Sequence, residues 1–207
     1  TISIPKVEAD DVIAYLSKSV ITHPKDKSFI VSSDKDFLQL VDENVVVYRP
    51  MEKEYYTPQT VIDKYKLSPH NFILHKTLLG DNSDKIKGVK GLGEKGLLKK
   101  FPELIEKDMS WGDILNICEE KISEHLVYAR IIHGRDDLEK NYKIMDLSNP
   151  MLSKEDKIWL DEIVASDNLP YYPDQFVSMY NEDQIGGLIR NVEFWVKDCF
   201  NNLVIKK

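Results

Sequence analysis

Apolar positions at helical spacing open the chain. Ala9, Val12, Ile13, Leu16 and Val20 predict a helix from Val7 to about Val20. The β-branched run Ser28–Ser33 predicts a buried strand, and Asn44–Tyr48 a second one. Phe37, Leu38, Leu40 and Val41 predict a short helix between them. Thr57 and Pro58 have the order of a cap and a first-turn proline, opening a helix with Val61, Ile62 and Tyr65 inward. Ser68-Pro69 opens another, carried by Phe72, Ile73, Lys76, Leu78 and Leu79 to Gly80, which breaks it. Leu97, Leu98 and Phe101 carry a helix onward from about Glu94. After Pro102 the pattern is mostly helical, through Ile114–Ile122 and Leu126–Ile131, with Tyr142–Leu147 as a short extended candidate. Ser153 and Asp156 form a capping-box-like start for a helix carrying Ile158, Trp159, Leu160, Ile163 and Val164. Tyr171, Tyr172, Phe176, Met179 and Tyr180 read as packing aromatics rather than base-stacking platforms. Ile185–Leu203 reads as a terminal helix with Leu188, Ile189, Val192, Trp195, Val196 and Phe200 inward.

The 207 residues allow one large domain or two small ones, and 42% apolar content suffices for a core. No run of about 18 apolar residues predicts a membrane span. Cys118 and Cys199 are isolated, which predicts free thiols in a reducing, cytoplasmic compartment. His125 and His133 lack partners at metal-ligand spacing. No Ser/His/Asp or Cys/His nucleophile set stands out. A net charge of −7 alone argues against a nucleic-acid binder. Its distribution argues otherwise: Lys85, Lys87, Lys90, Lys95, Lys99 and Lys100 share one window with Glu94 the only acid among them.

The acids gather where elements begin or end. Glu8 and Asp10 edge the apolar face of the first helix, and Asp11 projects away from it. Asp34 and Asp36 follow a strand, where open α/β sheets place their sites. As i and i+2 of an extended chain they would share a face. Asp81 and Asp84, one turn apart, follow the apolar helix that ends at Gly80. Each place also has a structural explanation: acids suit a helix first turn, and Asp caps helices. Three such places in succession favour convergence. Converging carboxylates need cations, and oxygen donors without Cys or His select Mg²⁺ or Mn²⁺. Two such ions roughly 3.5–4 Å apart are the usual device for phosphodiester hydrolysis by activated water. Gly88, Gly91 and Gly93 then make a turn whose amides suit a phosphate, with lysines between them and a helix after.

Val7-Glu-Ala-Asp-Asp-Val-Ile, Val31-Ser-Ser-Asp-Lys-Asp-Phe and Leu79-Gly-Asp-Asn-Ser-Asp-Lys-Ile-Lys-Gly-Val-Lys-Gly-Leu-Gly-Glu-Lys together resemble the 5′-nuclease family. That family includes flap endonucleases, the 5′–3′ exonuclease domain of bacterial DNA polymerase I, and phage 5′-exonucleases and ribonuclease H. The block order is similar to the phage and bacterial branch. The resemblance is close from Lys6 to Phe101 and poor beyond Leu147. It implies an α/β fold: the C-terminal part of a PIN-like core over residues 1–66, a helix–three-turn–helix DNA-binding region over 67–150 with its hairpin at 88–96, and a helical region over 151–207. It implies a metal site of Glu8, Asp10, Asp34 and Asp36, with Asp11, Asp81 and Asp84 in the second-ion region. Lys85, Lys87, Gly88, Val89, Lys90, Gly91, Gly93 and Lys95 would grip the duplex, often with a K⁺ ion on the hairpin carbonyls. The implied activity is Mg²⁺-dependent cutting of 5′ flaps, 5′ ends or RNA primers on branched DNA, duplex DNA or RNA–DNA hybrids, beside replication proteins in a bacterial or phage-infected cytoplasm and without a membrane.

The chain departs from the family in two respects. The family's first strand, which carries an Asp, a further Asp and the basic arch that threads the 5′ strand have no match within residues 1–207, and residue 1 is Thr. The expectation is an N-terminally truncated chain with an incomplete metal site, active with an N-terminal portion supplied in the same protein or separately. The alternative expectation is a DNA-binding module that does not cut. The second departure is Gly96, where the family has Ala or a small β-branched residue. It is expected to weaken the helix start by about 0.5–1 kcal/mol.

Overall fold

The computed structural model describes residues 2–19, 26–166, 172–183 and 187–200. They fall into two units, Thr1–Asp161 and Glu162–Lys207. In the first unit, helix α1 (Ala9–Ser19) packs its Val12 and Ala14 inward. Strands β1 (Ser28–Val31), β2 (Val45–Arg49) and β3 (Glu54–Tyr56) form a sheet in that order. β1 runs parallel to β2, with Ile30 opposite Val47. β2 runs antiparallel to β3, with Val47 opposite Tyr56. A 3-10 turn, Asp36–Leu40, lies in the crossover between β1 and β2. Thr57 caps helix α2 (Pro58–Tyr65) by accepting from the Thr60 amide, as its sequence predicts. Ile30, Phe37, Leu38, Leu40, Val47, Tyr56 and Val61 fill the core beneath.

β1 is not the buried strand expected. Only Ile30 is buried, while Phe29 and Val31 are 57% and 66% exposed. Strand side chains alternate, and one face of β1 has no covering layer among the described residues. β3 escaped the sequence reading because three residues, Glu-Tyr-Tyr, carry too little periodicity.

Helix α3 (Phe72–Leu79) joins two cores. Its Phe72 enters the sheet core, and Ile73, Leu74 and Leu78 enter a second, helical one. Buried Asn71 fixes its start: the amide donates to the carbonyls of Leu104 and Lys107 (2.9 and 2.8 Å) and Oδ1 accepts from the Met109 amide (2.8 Å). After α3 come the two-residue strands β4 (Gly80–Asp81) and β5 (Ile86–Lys87), paired antiparallel. Helices α4 (Glu94–Lys100), α5 (Glu103–Glu106), α6 (Trp111–Glu120), α7 (Leu126–His133) and α8 (Arg135–Met145) build the second core. The chain thus has a mixed α/β fold rich in helix.

Of the segment Tyr142–Leu147, expected to be extended, Tyr142–Met145 is helical, since α8 runs through Met145, and only Asp146 at its end is extended. Leu138, Tyr142 and Met145 stand at i, i+4 and i+7 and pack against the helical core, which decides the conformation. The Ser153/Asp156 capping box forms and starts α9 (Lys154–Ala165), where Leu160 is buried but Ile158 and Trp159 are exposed.

The second unit holds α10 (Pro173–Glu182) and α11 (Val192–Phe200). Phe176 stacks on Trp195 with centroids 6.0 Å apart, and Tyr180 and Val196 are buried. Within the described residues the terminal helix runs Val192–Phe200, and the Asn191 side chain accepts from the Phe194 amide at its start. Leu188 and Trp195, expected inward, are exposed. The calls on Val20, Tyr171, Ile185 and Leu203 lie outside the described residues.

Gly96 sits inside α4, and a Cβ there would meet only Leu92 Cδ1, at an ordinary 3.6 Å. Gly96→Ala is therefore expected to stabilise the protein by about 0.5–1 kcal/mol. Urea denaturation checks this; an unchanged or lower midpoint would contradict the helix assignment.

Candidate active site

The acids come from three elements. Glu8 directly precedes α1, whose first turn holds Asp10 and Asp11. Asp11 is engaged by a distant part of the chain, accepting from the Met151 amide at 2.8 Å. The Asp10 carboxyl is raised above the usual carboxylate range, by burial first and then by Asp34, Glu8, Asp11 and Asp84. Its electrostatic neighbours therefore include acids from all three sequence blocks.

Asp34 follows β1 in a turn rather than an extended strand. It accepts from the Asp36 amide at 2.9 Å, and its own amide donates to Ser32 Oγ at 3.1 Å. The N-cap of the 3-10 turn is Lys35, with no side-chain cap bond, so Asp34 makes a local turn onto the Asp36 amide rather than the expected cap, and the i, i+2 convergence with Asp36 does not arise from strand geometry. Buried Arg49 holds the segment before it, donating to the Ser33 carbonyl at 2.8 Å and pairing with Glu52 at 2.6 Å.

Asp36, Asp81 and Asp84 each offer a carboxylate oxygen within 4.8 Å of the others'. The apolar helix ends at Leu79, and Gly80 turns the chain into β4, so Asp81 and Asp84 lie on a hairpin rather than a helical turn. Asp81 Oδ1 accepts from both the amide (2.8 Å) and the hydroxyl of Ser83. Its Oδ2 pairs with Lys76 at 2.7 Å. Lys76 above all, then the Ser83 bonds, hold the Asp81 carboxyl far below the usual range. Lys76 also pairs with Asp36. Ser33, Asp34, Asp36, His75, Lys76 and Asp81 line a cleft of about 800 Å³. Burial lowers the His75 imidazole below its ordinary range, so it is neutral at pH 7. The oxygen-only donor set fits a hard divalent cation.

The glycine turn packs against the same helix. The Val89 amide donates to the Leu78 carbonyl at 2.8 Å, and Gly88 crosses the backbone at Leu79 and Gly80. Gly91 has φ +84°. Arg130 Nη1 donates to the Lys90 carbonyl (2.7 Å) and the Asn141 amide to that of Lys87 (3.3 Å), so α7 and α8 hold the turn from below. Lys85, Lys87, Lys90 and Lys95 are exposed and make no ion pair among the described residues. The sequence reading missed Arg130 and Asn141, which carry no local signal, and the role of Lys76. A lysine in the otherwise apolar helix Phe-Ile-Leu-His-Lys-Thr-Leu-Leu was the available sign.

A mixed α/β core thus sets Asp36, Asp81 and Asp84 together, with Asp10 in electrostatic reach, beside a lysine-rich glycine turn. Residues 1–66 match the family model described as the 5′–3′ exonuclease N-terminal resolvase-like domain. The chain is 36% identical over 163 residues to a 5′–3′ exonuclease of Aquifex aeolicus, covering 75% of this chain and 51% of that protein. It is 35% identical over 141 residues to a thermostable DNA polymerase I of Thermus thermophilus, covering 63% of this chain and 16% of that one. The chain thus spans about half the length of the first relative and far less of the second. Its fold is similar to that of the bacteriophage T5 flap endonuclease in a complex with DNA and metal ions, with a TM-score of 0.66 and 21% identity over 79% of this chain and 61% of that one. The T5 5′-exonuclease with bound zinc gives the same TM-score at 22% identity. The chain is thus similar to 5′–3′ exonucleases over 163 residues, and its residues 1–66 match their N-terminal domain.

Proposed function

We propose that this chain serves a Mg²⁺-dependent, structure-specific 5′-nuclease that removes 5′ flaps, 5′ ends and RNA primers during DNA replication and repair in a bacterial or phage-infected cytoplasm. The observation that carries the reading is the convergence of Asp36, Asp81 and Asp84, with Asp84 also within electrostatic reach of Asp10. In this reading Asp36, Asp81 and Asp84 hold one divalent ion, and Glu8, Asp10, Asp11 and Asp34 serve the neighbouring position. The bound ions would supply Lewis acidity at the scissile phosphodiester. The residues of the chain would hold the ions, orient the phosphodiester and hold the duplex.

Lys85, Lys87, Lys90 and Lys95 bind the duplex backbone, with Gly88, Val89, Gly91 and Gly93 allowing close approach. Their lack of internal acid partners supports this role. A K⁺ ion held by backbone carbonyls of the hairpin is part of the same reading. Among the described residues, no helix is long and apolar enough to cross a membrane. A separately supplied N-terminal portion is also part of the reading. The exposed Phe29, Val31 and Tyr55 on the outer face of the sheet support it as a surface for further chain.

The test is cleavage of a 5′-flap DNA in Mg²⁺ by the 207-residue chain, alone and with an N-terminal portion added. Cleavage is expected with the portion present. Binding without cleavage in both arms would favour the non-cutting DNA-binding module. In the same preparation, Lys87→Ala and Lys90→Ala are each expected to lower the slope of log affinity against log salt by about 0.9 for duplex DNA. An unchanged slope would remove these lysines from the interface.

A further inference from the structure

We propose that Lys76 is a built-in counter-ion of the acid cluster: it holds the metal-free site together and competes with the divalent cation for Asp36 and Asp81. The inference rests on the metal reading above and adds a residue to it. α3 is buried almost all round, since Phe72, Ile73, Leu74, Thr77 and Leu78 are all buried. Lys76 is the lysine of this helix that reaches the cleft, and its side chain is only 8% exposed. An ammonium buried without partners is costly, so the chain has to present it with carboxylates. It presents two, Asp36 and Asp81, whose side chains are 15% and 17% exposed. These two also belong to the group, with Asp84, that can hold a metal ion.

Oxygen by oxygen, the competition is direct. Asp81 Oδ1 is committed to the amide and hydroxyl of Ser83. Oδ2, the oxygen left to face a cation, is the one Lys76 holds at 2.7 Å. On Asp36 the ammonium sits on Oδ1. A divalent ion placed between these carboxylates would meet a positive charge within a few ångströms, in a cleft where water screens poorly. Binding therefore requires the Lys76 ammonium to withdraw, and the metal affinity of the protein is set below what the acids alone would give. In return, the acids stay neutralised and ordered when no metal is bound, which like charges at this spacing would otherwise oppose.

Mn²⁺ binding, followed by calorimetry on the full chain, tests this with wild type, Lys76→Met and Lys76→Arg. Lys76→Met is expected to bind about tenfold more tightly or better, because one competing charge is gone. Its unfolding temperature is expected to fall in EDTA and to recover with Mn²⁺ more than the wild type gains. Lys76→Arg, which keeps the charge, is expected to stay within a few-fold of wild type. Lys76→Met binding no tighter than wild type would overturn the role of Lys76 while leaving the metal site standing. No binding by any of the three would overturn the metal reading and this role with it. Should Lys76→Met fail to fold, the wild type still answers. Acylation of the Lys76 amine, mapped by peptide mass spectrometry, is expected to rise when Mn²⁺ displaces it. Equal labelling with and without Mn²⁺ would overturn the proposal.

Discussion

Asp84→Asn is expected to lower flap cleavage by roughly a hundredfold or more while leaving thermal unfolding almost unchanged. Asp84 is exposed, and it makes no hydrogen bond or ion pair among the described residues. Nothing in the fold depends on its charge, yet its oxygen lies within 4.8 Å of oxygens from Asp36 and Asp81. It also raises the Asp10 carboxyl, together with burial and the other nearby acids. Removing a negative charge from an oxygen-only site weakens cation binding more than it weakens the protein. The measurement is a single-turnover rate with a 5′-flap substrate in Mg²⁺, with the N-terminal portion present, set beside a melting curve. A full rate in Asp84→Asn would remove this acid from the mechanism. Asp36→Asn behaves differently: it strips a carboxylate from buried Lys76, so activity and stability are expected to fall together. The contrast between the two variants separates a ligand from a ligand that also carries structure.

Gly88→Ala is expected to destabilise the protein by roughly 3–4 kcal/mol, a size reserved for backbone clashes and broken cores. A Cβ at Gly88 would lie 2.1 Å from the Leu79 carbonyl carbon, 2.2 Å from its oxygen and 2.4 Å from the Gly80 nitrogen. All three are backbone atoms, so no side chain can move aside. Relief requires β5 to part from β4 and the Val89 amide to leave the Leu78 carbonyl. That would detach the glycine turn from α3 and lower duplex binding as well. Gly93→Ala is the control. A Cβ there meets nothing within 4 Å, and the loss at this helix N-cap is expected to be at most about 1 kcal/mol. Chemical denaturation of the two variants decides the matter. Equal midpoints would show that the crossing at Gly88 does not bind the turn to the helix.

These variants rest on residues whose types were plain along the chain but whose roles were not. The family and the acid blocks were legible because motif order and spacing are properties of the chain itself. Helix α2 was legible from its Thr57 cap and Pro58, and α3 and α4 from their apolar faces, but α3 starts at Phe72 after Asn71 and not at Ser68-Pro69 as its sequence predicts, because Asn71 is held by the backbone of residues 104–109. Tyr142–Leu147 was not, because a six-residue window cannot separate alternation from the i, i+4, i+7 face that Leu138, Tyr142 and Met145 present to a core. Nor was the exposure of Phe29 and Val31, since an apolar run states a preference for burial and not the presence of a covering layer.

The sequence by itself determined which chemistry was on offer: carboxylates in three blocks without Cys or His partners, and a glycine turn among lysines. Only the tertiary structure decided how the carboxylates are shared. Asp34 spends its oxygen on the backbone of Asp36, Asp11 on Met151, and Asp36 and Asp81 on one lysine. The physical reason is that charge neutralisation is a property of distance. Lys76 and Asp36 lie 40 residues apart in the chain, and they meet because α3, packed into both cores, brings a lysine where only acids can satisfy it.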